Sequence, residues 1–234
     1  MLFHEKINHL LIRTLNIHIK KFQPGIDHAR LSLFERNRFS LVIDGGANEG
    51  QWSLPLVEKF PKLLFHSFEP YSNAFDRLAE ASRGYENWRA HNLALGEQAG
   101  RSNLQVSTNK GMSSSLLKPT AHITAFPEVE FNGIETVSVV RLDDITELYG
   151  PKKYLKLDLQ GAENLALKGA TNLLREVEAI EIEMTLTPMY EGEKSLSEML
   201  KLLESLGFSV FHLFTPAIEP NGKCNYVDVL LTRD

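Results

Sequence analysis

One cysteine, Cys224, stands in 234 residues. A single thiol excludes an intrachain disulfide framework and any metal centre built on several cysteines. It suits a reducing, cytoplasmic setting. No apolar run approaches the roughly 18–20 residues needed to cross a bilayer, so no integral membrane segment is expected. His4, Glu5 and Lys6 interrupt the start of the chain, which does not read as a signal peptide. Positive charge is scarce: the formal net charge is -5, which argues against a nucleic-acid partner. Several catalytic signatures are missing as well. Ala47 stands where a dinucleotide fingerprint needs its second glycine, and Gly50-Gln51-Trp52 stands where a Walker loop ends in Gly-Lys-Ser/Thr. No Gly-x-Ser-x-Gly elbow exists. His4 and His9 are one position too far apart for the zinc helix motif.

What is present is ordinary soluble, globular material, 43% hydrophobic and 24% charged. The chain is long enough for one domain with an extension. Residues 1–40 hold Lys6, Arg13, Lys20, Lys21, Arg30, Arg36 and Arg38 against Glu5, Asp27 and Glu35. Leu2, Phe3, Ile7, Leu10, Leu11 and Leu15 recur there at helical spacing. The segment reads as an N-terminal helical extension that packs on the main domain or on a second copy in a homodimer. A membrane-surface helix is the alternative. Pro24-Gly25 ends the pattern.

From residue 41 strands and helices alternate. Leu41–Ile43, Leu63–Phe68, Trp88–Leu93, Tyr154–Leu159 and Val177–Met184 read as strands. Helices are expected over Gly50–Phe60, over Ser72–Arg83 and from about Gly161. Ser195 with Glu198 forms a capping-box signature, and Gly207 suits that helix's C-terminal position. Phe208–Phe214 and Tyr226–Thr232 read as an antiparallel pair around Asn221-Gly222. Short strands are expected at Leu104–Val106 and Thr136–Val140, separated by a long loop that reads as an active-site cover. Such alternation implies a mostly parallel sheet with helices on both faces, and ligands at the carboxyl ends of the strands.

Three strand ends carry a ligand signal. Asp44, Gly45, Gly46, Ala47, Asn48 and Gly50 form an acidic, glycine-bearing turn after the first strand. Glu69 ends the second strand, where a carboxylate can accept hydrogen bonds from both hydroxyls of a ribose. Asn92, with Ala94 behind it, ends the third, where an amide can read an adenine edge or simply form a turn. Together these describe a site for an adenosine without phosphates, and S-adenosylmethionine fits them.

The chain here resembles class I S-adenosylmethionine-dependent methyltransferases, and specifically the FkbM family. The resemblance is carried by Asp44-Gly45-Gly46-Ala47-Asn48-Glu49-Gly50, Phe68-Glu69-Pro70 and Asn92-Leu93-Ala94-Leu95-Gly96. It continues through Ser113-Ser114-Ser115-Leu116, Arg141-Leu142-Asp143-Asp144 and Lys156-Leu157-Asp158-Leu159-Gln160-Gly161-Ala162-Glu163. Leu167-Lys168-Gly169-Ala170 and Ile180-Glu181-Ile182-Glu183 complete it. The resemblance implies a Rossmann-like, seven-stranded, mostly parallel sheet whose last strand is antiparallel. It implies S-adenosyl-L-methionine as cofactor, with Pro70 and Ser114 added to the cofactor contacts. It also implies O-methylation of a hydroxyl on a sugar, glycan or secondary metabolite. This chain departs from the family at Gly45, often Val there, and at Gln160, often Glu. A non-catalytic binding protein on the same fold is the competing reading.

Methyl transfer to an alcohol needs alignment, exclusion of water and a proton acceptor. Alternation places Lys156 with Asp158 on one face of the fourth strand and Glu181 with Glu183 on one face of the fifth, so that two carboxylates converge near the open edge if these strands are neighbours. Asp158 is the leading base, or a ligand for the cofactor's amino group; capping the next helix is its alternative. Glu183 is the second base candidate. Lys156 is expected to pair with Glu181 rather than to act in catalysis. No metal is expected, because no dense carboxylate motif is present. His122 in the cover reads as an exposed loop residue, with a role as base as its alternative. Met189, Tyr190, Phe126 and Phe131 either wall the acceptor site or pack its loops.

Overall fold

The computed structural model describes residues 27–148, 151–218 and 222–233. The amphipathic stretch Leu2–Leu15, and the membrane or homodimer surface read into it, lie outside the described residues.

Strand β1 (Leu41–Gly45) is buried at every position, because alternate side chains enter opposite layers. Leu41 and Ile43 join one apolar cluster, and Val42 the other. Its neighbours are β2 (Leu64–Phe68) and β7 (Lys153–Leu157), both parallel. Beyond β2 lies β3 (Trp88–His91), and beyond β7 lies β8 (Val177–Thr185), again parallel. Strand β11 (Cys224–Arg233) runs antiparallel to β8 and also pairs with β9 (Phe208–Leu213) and the short β10 (Ala217–Ile218). The order β3-β2-β1-β7-β8-β11-β9 is the expected seven-stranded sheet with an antiparallel last strand, to which β10 adds a two-residue eighth strand beside β11.

Helices α1 (His28–Asn37), α2 (Leu54–Lys59) and α3 (Ser72–Ser82) cover one face, through Leu33, Phe34, Leu56, Val57 and Leu78. Helices α5 (Glu163–Lys168) and α6 (Leu196–Ser205) cover the other, through Ala166, Leu167, Met199 and Leu203. Helix α6 begins as read: the Ser195 backbone N–H donates to Glu198 Oε2 at 3.0 Å. Helix α2 begins later than expected, at Leu54, and a turn occupies the residues after Gly50. Pro55 lacks an N–H and is tolerated only in the first helical turn, which sets that boundary. Helix α1 lies before residue 40, on the extension side of the expected boundary, yet Leu33 and Phe34 pack into the domain's core.

A second sheet replaces much of the expected loop. Strand β4 (Ala94–Leu95) lies parallel to β6 (Phe131–Val140), which forms an antiparallel hairpin with β5 (Gly100–Ser107). Phe131 and Gly133, read as loop, are the start of β6. One face of that strand is open to solvent and carries Asn132, Thr136 and Ser138, so its apolar signal is thin. The remaining cover, residues 108–130, contains the single-turn α4 (His122–Ala125).

Candidate active site

A cavity of about 550 Å³ opens at the carboxyl ends of β1, β2, β7 and β8, beneath the 108–130 segment. Its size suits a small-molecule ligand. Gly46, Ala47, Asn48, Glu69, Pro70, Ala94, Ser114, Lys156, Asp158 and Glu183 all border it. Asp44, Gly45, Gly50 and Asn92 do not.

The first loop turns sharply at Gly46, whose φ is +74°. Its N–H and that of Ala47 both donate to the Phe68 carbonyl at 3.0 Å. The Asn48 N–H donates to Glu69 Oε2 at 2.8 Å, and the Tyr71 N–H to Glu69 Oε1 at 2.8 Å. Three successive backbone donors are therefore spent inside the protein. A phosphate cradle needs such donors free, so this loop suits a ligand that presents hydroxyls to Glu69. Burial pushes the Glu69 carboxyl up to about 7, against the pull of its two N–H donors.

Asn92 holds this arrangement from behind. Its Nδ2 donates to the carbonyls of Glu69 at 3.0 Å and Pro70 at 3.1 Å. The amide braces the strand end, and the adenine-edge role read into it has no opening onto the cavity. Ser114 Oγ accepts from the Ser107 N–H at 3.1 Å and fastens the base of the cover. Asn48 Nδ2 donates to the Lys110 carbonyl at 3.3 Å, which ties the cover to the first loop.

Asp44 lies below the floor. Its Oδ2 accepts from Ser53 Oγ at 2.7 Å, and its Oδ1 lies 3.4 Å from Lys156 Nζ. Lys156 Nζ is also 3.5 Å from Asp158 Oδ2. Burial alone would lower the lysine's pKa, but the Asp158 and Asp44 carboxylates outweigh it, so the ammonium stays charged.

The expected Lys156–Glu181 ion pair is not formed, although the two residues face each other in register. Glu181 is taken by Arg30 from α1, whose Nε donates to Oε2 at 2.7 Å and whose second nitrogen donates to Oε1. Trp52 Nε1 (2.9 Å) and the Tyr154 hydroxyl complete its shell. A fork of two guanidinium donors matches a carboxylate better than one ammonium does.

Gln160 joins the two base candidates. Its Nε2 donates to Asp158 Oδ1 at 2.8 Å and to Glu183 Oε2 at 3.1 Å. Its Oε1 accepts from the Tyr190 hydroxyl at 3.3 Å, and its own φ is +53°, uncommon for a residue with a side chain. Burial, then the Asp158 charge, raises the Glu183 pKa well above the ordinary carboxylate range. Asp158 does not cap a helix: α5 starts from Ala162 without a side-chain cap, and Glu163 instead accepts from the Leu159 N–H at 2.5 Å.

Arg30, Trp52, Tyr226 and Asp228 also border the cavity and were not read from the sequence. Asp228 stands opposite Glu183 in register, and burial followed by the Asp158 charge pushes it up to about 6. The alternation of Tyr226 and Asp228 on the last strand was the available signal. His122, read as exposed, is buried among Phe126, Phe131 and Tyr190. Met189, Tyr190 and Phe126 line the cavity; Phe131 packs against His122 and Tyr190 from outside it.

Comparison with known proteins identifies the family of this domain. The model of the methyltransferase FkbM domain matches residues 44–210. The 2-O-methyltransferase NoeI of Sinorhizobium fredii is 28% identical over 211 residues, covering 83% of this chain and 87% of that one. Among solved structures, magnesium protoporphyrin IX methyltransferase from Synechocystis, with bound SAM, aligns with a TM-score of 0.49 at 11% identity, over 100% of this chain and 99% of that one. An rRNA methylase from Streptococcus thermophilus aligns with a TM-score of 0.48 at 13% identity, over 92% and 99%.

Proposed function

The chain belongs to the FkbM methyltransferase family, and from that premise we propose that it methylates a hydroxyl oxygen on a sugar, glycan or secondary metabolite. Its cofactor is S-adenosylmethionine. The observation that carries our site assignment is the Glu69 carboxylate, fixed by two backbone N–H groups beside a loop whose donors are already used. Glu69 would hold the ribose hydroxyls. Ala94, with Leu93 and Leu95, offers an apolar wall for the base. The 2-O-methyltransferase activity for which the relative NoeI is named supports a hydroxyl acceptor.

When bound, the cofactor supplies an electrophilic methyl group on a sulfonium. The chain's own residues do the rest. The 108–130 cover excludes water, which strengthens every polar interaction beneath it. Asp158 takes the proton of the acceptor hydroxyl as the oxygen–methyl bond forms. Gln160 donates to its Oδ1, and Lys156 stands beside its Oδ2. Glu183 shares the same amide, and burial disfavours its charged form, which leaves Asp158 the basic role. Such a positioned base contributes about 10²–10⁴-fold. A cytoplasmic location and a homodimer belong to the same proposal.

The test is ligand-dependent thermal unfolding with S-adenosylmethionine, S-adenosylhomocysteine and NAD, followed by methyl transfer to a panel of alcohols. Ligand at about 100 times its Kd adds about 2.7 kcal/mol of stability. The reading requires a shift with the first two ligands alone. It also requires that Glu69→Ala weaken cofactor binding, and that Asp158→Asn lose turnover while binding cofactor within a few-fold. Full activity in Asp158→Asn removes it as the base, and cofactor binding without transfer to any alcohol leaves a binding protein.

A further inference from the structure

His122 is 4% exposed, and its Nδ1 is sealed from solvent with no hydrogen-bond partner among the described residues. Aromatic rings surround it: Phe126 at 5.0 Å, Phe131 at 5.2 Å and Tyr190 at 5.5 Å between centroids. A phenylalanine or leucine would fill such a cage without burying an unbonded nitrogen, whose lost hydration nothing repays. Buried polar groups without partners are rare and call for an explanation. The ring borders the cavity, so Nε2 is the nitrogen left to meet a ligand.

The position is built rather than incidental. The Thr120 N–H and hydroxyl both donate to the Met189 carbonyl, at 2.8 and 2.9 Å, and the His122 N–H donates to the same oxygen at 3.3 Å. The Glu191 N–H closes the clasp on the Lys118 carbonyl at 2.8 Å. This pins the short helix α4 over the cavity with its imidazole beneath.

The ligand's chemistry follows from the neighbours. Asp158, Glu183, Asp228 and Glu128 border the same cavity. Among the described residues its cations are Lys156 and Arg30, both already engaged by carboxylates. None of these residues leaves a free cation for a phosphate or carboxylate on the acceptor. We propose that His122 binds an uncharged hydroxyl of the methyl acceptor, and that the site selects neutral polyols over phosphorylated or carboxylated ones. The assignment rests on the methyltransferase reading above. In it His122 is a binding and specificity residue, while Asp158 takes the proton.

The experiment uses the full chain saturated with S-adenosylhomocysteine, with histidine ring resonances followed by NMR. The probes are the methyl glycosides of glucose, galactose and rhamnose, and glucose 6-phosphate. At least one neutral glycoside should move the His122 resonance, and the phosphate should not. In parallel, His122→Phe and His122→Leu should keep or raise the thermal midpoint, by up to roughly 6 °C. Both should bind S-adenosylhomocysteine within about twofold of the parent, a difference under about 0.5 kcal/mol. His122→Gln, which can mimic Nε2, should retain the glycoside response of the bound protein more than either apolar variant, read on the shared Tyr190 ring. A lower midpoint in both apolar variants would make the imidazole a packing element and overturn the proposal. So would a His122 resonance indifferent to every neutral glycoside, or one that moves equally with the phosphate. Failure of the parent chain to bind S-adenosylhomocysteine would instead defeat the methyltransferase reading, and is seen before any glycoside is added.

Discussion

Arg30 and Glu181 form a forked ion pair between helix α1 and strand β8, with the two side chains 11% and 4% exposed. The guanidinium also lies over the rings of Trp52, at 5.3 Å, and Phe214, at 4.8 Å. The pair thus fastens α1 to the middle of the sheet at the cavity's edge. Breaking one side of a buried pair strands the other charge and costs about 3–5 kcal/mol.

Arg30→Met should therefore lower the thermal midpoint by roughly 10 °C, at 2–4 °C per kcal/mol for a chain of this size. The second substitution Glu181→Gln should recover half or more of that loss. It removes the stranded charge and keeps an acceptor for Trp52 and Tyr154. Scanning calorimetry of the single and double variants checks this. An unchanged midpoint in Arg30→Met would mean that α1 is not held by this pair.

Gln160 carries the second prediction. Its amide ties Asp158 to Glu183 by donating to both. Gln160→Leu removes that tie and leaves the Asp158 carboxylate free to turn away from the acceptor. kcat should fall by about tenfold, part of what a positioned base contributes. Cofactor affinity should stay within a few-fold. An unchanged kcat would show that the amide does not position the base.

These relationships mark what the sequence discloses and what it conceals. The strand ends were legible because a buried strand ending in Asp44-Gly45-Gly46, or in Phe68-Glu69, is a local pattern. The capping box at Ser195 is local for the same reason. The partner of Glu181 is not local: Arg30 lies 151 positions away. It arrives on a helix with only Leu33 and Phe34 buried, too few to announce it. Asn92 illustrates a subtler limit. Its place at a strand end was visible, but the direction of its amide depends on two carbonyls that only the folded chain brings near. His122 was misread because cover loops are usually exposed, whereas this one is fastened down by Met189 and Tyr190.

The buried acids set the third prediction. Desolvation pushes Glu163 up to about 8, Glu69 to about 7 and Asp228 to about 6. Each folded-state value lies above the ordinary carboxylate range, so the folded protein keeps protons that the unfolded chain has released. Their stabilising contribution is present at low pH and is lost as the pH rises through the folded values. Burial acts in the other direction on His66, lowered to about 4, whose contribution is lost as pH falls below its ordinary value. The ligand-free chain should therefore be more stable at pH 6.5 than at pH 8.5. Glu163 alone accounts for about 2 kcal/mol, or roughly 4–8 °C in Tm. Thermal scans across this range, with Glu163→Gln flattening the slope, are the check. A midpoint that rises toward pH 8.5 would contradict it.

The fourth prediction separates close approach from backbone conformation. Gly46 and Gly192 share positive φ values, +74° and +79°. A Cβ on Gly46 would stand 1.8 Å from the Asp158 carbonyl oxygen, because the ends of β1 and β7 meet there. A Cβ on Gly192 would meet nothing within 4 Å. Gly192→Ala should carry only the conformational penalty, about 1 kcal/mol. Gly46→Ala must also push apart the two strand ends that hold Glu69 and Asp158 in one cavity, and should exceed about 4 kcal/mol or prevent folding. If it folds, the displacement falls on the site itself, so S-adenosylhomocysteine affinity should drop with stability, whereas Gly192→Ala should leave that affinity untouched. Equal losses in the two variants would show that the approach of β1 to β7 is looser than the packing at Gly46 implies.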